Sequence, residues 1–141
     1  MDTTGVSVAA FVAGVAPAKR RRDADTLIAL MRDISGREPE MWTSGIIGFG
    51  RCHYRYSTGT EGDMPLLAFA PRKPASTVYL DEIAAHTDAL AALGPHTSSV
   101  SCLYLKDLEL VDMGVLRGIL QSCFDATIAG GPPGAEITIT G

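Results

Sequence analysis

The sequence WTSGIIGFGRCHYRY, at residues 42–56, marks the point where the chain changes from helical to strand character. It is rich in isoleucine, glycine and aromatic residues, and at its end Tyr54 and Tyr56 alternate with His53 and Arg55. This alternation is typical of a strand that buries one face. The three glycines in the segment are expected to mark a turn, a bulge or a close approach of two backbones.

Two helices are predicted before this segment. Apolar residues at helical spacing predict a short helix over 8–15, with Ser7 as its N-cap. A second apolar stripe, over 24–34, predicts a longer helix whose first turn contains Pro17. Gly36 follows this stripe, where a left-handed C-cap belongs.

Short strands and two further helices are predicted after it. The polar stretch Ser57–Asp63 is predicted to be the turn of a hairpin whose second arm is Leu66–Ala70. A long C-terminal helix, within 108–128, is expected to have Asp112 as its cap. The remaining predicted elements are strands over 77–80 and 101–105 and a brief helix over 88–93.

This order of elements predicts an α+β fold in a single domain, residues 1–129. We expect an antiparallel sheet of four to six strands, with the N-terminal helix pair and the long C-terminal helix packed mainly on one face. Residues 130–141 begin with GGPPG and are predicted to be a Gly/Pro linker and a C-terminal tail. The alternation of Ile137 and Ile139 with polar residues also allows an edge strand.

The charge balance argues against a nucleic-acid partner, and the hydropathy of the chain argues against a membrane partner. The chain has 12 Lys and Arg against 16 Asp and Glu, a net charge of -4, which disfavours nucleic-acid binding driven by bulk charge. The basic run Lys19–Arg22 precedes Asp23 and Asp25 and is interpreted as a solvated helix face. No run of 18 apolar residues occurs and the N-terminus lacks the basic region of a secretory signal, so a cytoplasmic location is expected.

Motifs of common enzyme classes are absent. The chain has no GxSxG, GxxxxGK[ST], HExxH or complete GxGxxG motif, so it is predicted not to be an enzyme and to need no cofactor. Cys52, Cys102 and Cys123 are widely spaced and are predicted to be reduced, small buried hydrophobic residues. An alternative is an enzyme that uses Ser44 or Cys52 as its nucleophile.

Candidate metal ligands are sparse. His53, His86 and His96 are far apart in the sequence, so a zinc site is not expected. His53 with Glu61 and Asp63 could form an open nitrogen and oxygen site that would suit iron or manganese. The simpler interpretation is a half-exposed strand histidine beside a solvated turn.

A set of glycine, aromatic and basic residues at strand ends predicts a binding surface. In this hypothesis the glycines let a ligand approach the backbone, the basic side chains hold an anion, and the aromatic side chains form an apolar wall. The expected partner is a small anionic ligand or a protein, and the expected state is a monomer or homodimer. The predicted surface consists of Trp42, Gly48, Phe49, Gly50, His53, Tyr54, Arg72, Lys73 and Lys106.

Five motifs, in this order, carry a resemblance to a known family: EPEMW at 38–42, GIIGFG at 45–50, HYRY at 53–56, FAPRK at 69–73 and SCLYLK at 101–106. Together they resemble the YdhG-like bacterial domains of unknown function, over roughly residues 8–129. The resemblance implies a compact, cytoplasmic α+β domain with an antiparallel sheet and brings no established reaction.

One branch of that family is described as frataxin-like, with a proposed role as an intracellular iron chaperone. The resemblance therefore implies an alternative to the binding module, namely an iron-handling protein. Its candidate ligands are His53, Glu61, Asp63, Asp107, Glu109 and Asp112.

Overall fold

Four α-helices and nine β-strands make up the computed structural model, which describes residues 1–141. The helices are α1 (Val8–Ala13), α2 (Ala18–Ser35), α3 (Thr87–Leu93) and α4 (Met113–Ile128). The strands are β1 (Pro39–Trp42), β2 (Ile46–Phe49), β3 (Cys52–Tyr56), β4 (Glu61–Met64), β5 (Leu67–Pro71), β6 (Ser76–Tyr79), β7 (Thr97–Ser98), β8 (Cys102–Leu105) and β9 (Ala135–Ile139).

Six strands form the main antiparallel sheet, in the order β1-β2-β5-β6-β8-β7. Because side chains alternate across a strand, Ile47 and Phe49 of β2 join the large apolar core that also includes Leu27 of α2 and Leu120 of α4. Helices α2 and α4 both contact β5, on this face of the sheet. The predicted α+β class, with helices packed mainly on one face of an antiparallel sheet, is confirmed.

Three of the predicted helix caps form, whereas α1 ends two residues before the predicted position 15 and Pro17 is the N-cap of α2 rather than part of its first turn. Ser7 Oγ accepts a hydrogen bond from the N–H of Ala10 at 3.2 Å, and Asp112 Oδ1 accepts one from the N–H of Val115 at 3.0 Å. Gly36 ends α2 with φ at 67°, in the left-handed region that favours glycine. None of these helices is both long and apolar enough to cross a membrane.

The predicted hairpin between β3 and the segment Leu66–Ala70 is wrong. Strand β3 pairs with β4 instead, in register from Cys52 opposite Met64 to Arg55 opposite Glu61. Strand β5 lies between β2 and β6 in the main sheet. The reason is burial: the first four residues of β5 are all buried, which suits a central strand, whereas β3 and β4 are largely exposed and polar.

The interpretation of residues 135–139 as a frayed tail is also wrong, because they form β9. This strand pairs antiparallel with β3, with Ile137 opposite Tyr54, and completes a three-stranded sheet in the order β4-β3-β9. Backbone bonds outside the strand, from Ser57 N–H to the Gly134 carbonyl and from Thr140 N–H to the Arg51 carbonyl, hold both ends. The open edge of β3 supplies the partners that a lone tail would lack.

The basic run Lys19–Arg22 is not a uniformly solvated face. Arg20 is 3% exposed and the neighbouring Asp23 is fully buried, with 3.7 Å between Arg20 Nη1 and Asp23 Oδ2. Arg20 turns inward because the ends of β6 and β8 offer it acceptors. Nη1 donates to Ser76 Oγ and to the carbonyls of Leu105 and Lys106, and Nη2 donates to the Pro74 carbonyl.

Replacement of Gly48 by alanine is expected to destabilise the fold. A Cβ at Gly48 would lie 2.5 Å from Trp42 Cδ1 and 2.7 Å from Pro65 Cβ, so Gly48→Ala overpacks the sheet and should lower the free energy of unfolding by about 2 kcal/mol. Gly118→Ala is the matched control, since it lies within α4 with no atom near the added methyl. That change should raise the free energy of unfolding by about 0.5–1 kcal/mol. Urea unfolding measures both, and an unchanged stability in Gly48→Ala would contradict this packing.

Candidate functional site

The nine residues of the predicted binding surface do not share one surface. Phe49 is fully buried in the large core on the helix side of the sheet. Trp42 is 2% exposed and packs on the opposite face, against Ile46, Ala68 and Ala70. Two buried rings on opposite faces cannot form an exposed apolar wall, which corrects this part of the expectation.

The glycines of this segment serve packing and chain reversal. Gly48 gives room to the indole ring of Trp42. Gly50 has φ at +72° and follows β2 directly, and a Cβ there would lie 2.6 Å from Leu66 Cδ1. Protein side chains therefore fill the space that the hypothesis gave to a ligand.

His53 and Tyr54 lie on the three-stranded sheet. His53 stands directly opposite Asp63 in the β3–β4 register. Its Nδ1 is 2.8 Å from Asp63 Oδ1 and its Nε2 is 3.1 Å from Glu61 Oε1. The two carboxylates hold opposite nitrogens of one ring and raise the pKa of His53, chiefly through the bond to Asp63 and next through that to Glu61.

The six candidate iron ligands do not meet at one point. Glu61 and Asp63 lie on opposite sides of the His53 ring. Asp107 pairs with Lys19 at 3.5 Å and with Arg22 at 2.7 Å. Glu109 also pairs with Arg22, and Asp112 caps α4. These side chains have other partners in the fold.

The backbone next to Lys73 and that of Lys106 lie close to the start of α2, and Arg72 precedes Lys73 in the same loop. The buried Arg20 donates to the carbonyl of Pro74, next to Lys73, and to the carbonyl of Lys106 itself. Lys19 reaches the residue after Lys106, with Nζ 3.5 Å from Asp107 Oδ2. We call the exposed Lys and Arg side chains of these neighbouring segments the basic end of the molecule; they are Lys19, Arg21, Arg72, Lys73 and Lys106.

Most positive charges outside the basic end are neutralised by a neighbour. Seven of the twelve Lys and Arg side chains lie within 4.0 Å of a carboxylate oxygen. Of the other five, only Arg37 lies elsewhere, and the remaining four belong to the basic end: Arg21, Arg72, Lys73 and Lys106. A chain with a net charge of -4 therefore presents a local excess of positive charge at one place.

The two candidate nucleophiles lack activation. Burial, with a smaller contribution from Asp63, raises the pKa of the Cys52 thiol to about 11, so the thiol is protonated at neutral pH. Ser44 lies in the turn between β1 and β2 with φ at 63°. Its carbonyl accepts a hydrogen bond from Arg72 Nη1 at 2.7 Å, and no histidine bonds its hydroxyl.

One cluster of possible metal ligands was not predicted from the sequence. Asp81, His86 and Cys123 offer a carboxylate oxygen, an imidazole nitrogen and a thiol sulfur within 4.8 Å of one another. His86 and Cys123 are 37 positions apart, and Asp81 precedes His86 by five, which matches no recognised ligand spacing. Only the packing of α4 against the segment after β6 brings them together.

The pKa of His53 should fall when Asp63 is neutralised. We expect Asp63→Asn to lower it more than Glu61→Gln does, because the bond to Asp63 is the larger cause of the raised value. The stability that these pairs add is fully present below the unfolded-state pKa of about 6.5 and is lost as pH rises through the folded-state pKa.

NMR titration of the His53 ring resonances measures the shift. Asp33→Asn is the matched control, because it removes an exposed carboxylate that pairs with Arg117 instead. Equal His53 pKa values in Asp63→Asn and the unmodified protein would contradict the geometry.

Comparison with known proteins assigns no family to this chain. No protein-family model, no curated protein and no solved structure matches it. The resemblance to the YdhG-like family therefore stays a prediction from the sequence motifs.

Proposed function

We propose that this protein is a non-catalytic binding module that takes a small anionic ligand at its basic end. The observation that supports this most is the grouping of four of the five Lys and Arg side chains without a carboxylate partner at one place. Uncompensated cations repel one another, and an anion bound among them relieves that repulsion.

Arg72 is the best-oriented of these cations. Its Nη1 donates to the Ser44 carbonyl at 2.7 Å, which restrains the guanidinium next to Gly45. A guanidinium has five N–H donors in a planar fork, so further donors stay available for a carboxylate or phosphate group. Lys73 and Lys106 add two exposed ammonium groups with no hydrogen bond or ion pair of their own.

The acidic side chains beside the basic end pair with Lys19 or with arginines outside it and leave the other four cations of the basic end without a carboxylate. The nearest acidic side chains, Asp107 and Asp23, already accept bonds from Arg22. The hydrogen bonds of Asp107 to the Glu109 N–H and then to Arg22, opposed by partial desolvation, lower its pKa. The Asp107 carboxylate is thus already paired with Lys19 and Arg22, both of α2.

The absence of an activated nucleophile at Ser44 and Cys52 supports a binding role over a catalytic one. The Cys52 thiol is buried and protonated, and Ser44 has no neighbouring general base. A binding module of this kind recognises its ligand by charge and needs neither a nucleophile nor a general base.

Arg72→Ala combined with Lys73→Ala is expected to weaken anion binding about tenfold, since two partly exposed charge contacts are worth about 1.4 kcal/mol together. The probes are inorganic pyrophosphate and citrate, titrated at low ionic strength. Amide shifts in the NMR spectrum report both the affinity and the place of binding.

The matched control is Arg32→Ala combined with Arg117→Ala, which removes the same charge from exposed ion pairs elsewhere. We expect the control to change the dissociation constant less than about twofold. Equal weakening in both double variants, or no saturable shifts around residues 72–73 and 106, would contradict the proposal.

A further inference from the structure

Three elements place Asp81, His86 and Cys123 side by side. Asp81 follows β6, His86 ends the short 3₁₀ turn Ile83–His86, and Cys123 lies on the face of α4 that packs against this segment. His86 and Cys123 are buried, whereas the side chain of Asp81 is 39% exposed. The cluster is thus half inside the protein and open on the side of Asp81.

The donor atoms of the three residues converge. Asp81 Oδ1 is 2.8 Å from His86 Nε2 and 3.1 Å from Cys123 Sγ. His86 Nε2 is 3.4 Å from Cys123 Sγ. The three donor atoms, an oxygen, a nitrogen and a sulfur, therefore lie at the corners of a small triangle, and each comes from a different part of the fold.

These separations suit a single small cation. Ligands about 2.0–2.3 Å from a tetrahedral zinc ion lie about 3.3–3.8 Å from one another. The distance between His86 and Cys123 already falls in this range, and the two distances to Asp81 must open by about 0.5 Å. The exposed Asp81 carboxylate can make that movement without disturbing the core.

The arrangement does not fit a cysteine nucleophile. A catalytic imidazole takes the thiol proton at one nitrogen and is oriented by a carboxylate at the other. Here Asp81 and Cys123 both face Nε2 of His86. Burial raises the pKa of the Cys123 thiol to about 12, so the free thiol is not a reactive thiolate.

We propose that Asp81, His86 and Cys123 bind one zinc ion, with water in a fourth, exposed position. The combination of a thiolate, an imidazole and a carboxylate is the donor set that zinc accepts. On binding, the thiol proton leaves to solvent, and the proton at His86 Nε2 is displaced so that the neutral ring carries its one proton at Nδ1 and presents Nε2 to the metal. Asp81 exchanges its hydrogen bonds with His86 and Cys123 for the metal bond, while the Glu82 N–H remains a further donor to its carboxylate.

The exposed side chain of Asp81 gives an ion access to the cluster, and binding would have a structural consequence. A bound ion ties the segment after β6 to α4, so zinc is expected to stabilise the folded state. This inference does not depend on the anionic ligand at the basic end.

Titration of the reduced, metal-free protein with cobalt(II), the spectroscopic substitute for zinc, tests the proposal. We expect one equivalent to produce the charge-transfer absorption of a cobalt–thiolate bond together with the visible bands of four-coordinate cobalt. Cys123→Ser should abolish the thiolate absorption, and Asp81→Asn should weaken cobalt binding by about 10-fold or more. Cys102→Ser is the matched control, because it removes a thiol outside the cluster, and its spectrum should equal that of the unmodified protein.

A thermal unfolding series with zinc gives an independent measure. Free zinc at about 100 times its dissociation constant should raise Tm by about 5–10 °C in the unmodified protein and in Cys102→Ser, and not in Cys123→Ser. Cobalt–thiolate absorption that survives in Cys123→Ser, or a lack of any thiolate absorption in the unmodified protein, would overturn the assignment. A zinc-independent Tm would overturn it as well.

Discussion

The buried ion pair between Arg20 and Asp23 is the constraint on which the arrangement of this molecule depends. A charged pair inside a protein is favourable only when further hydrogen bonds replace the lost water. Arg20 finds them at Ser76 and at the carbonyls of Pro74, Leu105 and Lys106. The start of α2 is therefore bound to the ends of β6 and β8.

Asp23 extends the same network to the segment between β8 and α4. Its Oδ2 accepts the N–H of Leu108 at 3.1 Å, and its Oδ1 accepts both Nε and Nη2 of Arg22. Arg22 in turn holds Asp107. The pair thus positions the connection between β8 and α4 as well as the two strand ends.

The proposed anion surface follows from this network. With Arg20 turned inward, its neighbours Lys19 and Arg21 face solvent. The backbone acceptors of Arg20 lie next to Lys73 and at Lys106, so these two segments lie beside the start of α2. The burial of Arg20 thus brings the backbone of two basic loops next to a basic helix start.

Local features of the fold were predictable from the sequence, and pairings between distant segments were not. Ser7, Gly36 and Asp112 act through neighbours within a few residues, so their capping roles could be predicted from residue type and spacing. The partner of β3 could not, because β4 and β5 both follow it at hairpin distance. The edge that β9 occupies exists only after β3 has formed.

In the candidate sites, too, residue types were predictable from the sequence, whereas contacts between distant segments were not. Basic residues at 72, 73 and 106 could be singled out by type, but the inward turn of Arg20 depends on acceptors more than 50 positions away. Trp42 and Phe49 were expected at the surface because aromatic residues beside polar ones occur both at rims and in cores. Cys52 and Cys123 were correctly predicted to be buried, whereas Cys102 is partly exposed. The position of Cys123 beside His86 required the packing of α4.

The most direct test of this account is a double-mutant cycle on the buried pair, with Arg20→Met, Asp23→Asn and the combined variant followed by urea unfolding. Asp23→Asn leaves the buried charge of Arg20 without its carboxylate and should lower the free energy of unfolding by about 3–5 kcal/mol. Arg20→Met leaves Ser76 and three backbone carbonyls without their donor, although Asp23 keeps Arg22, and should lower it by about 1–3 kcal/mol. The combined variant should lose clearly less than the sum of the two single losses. Single losses below about 1 kcal/mol that add without coupling would contradict the central place given to Arg20 and Asp23.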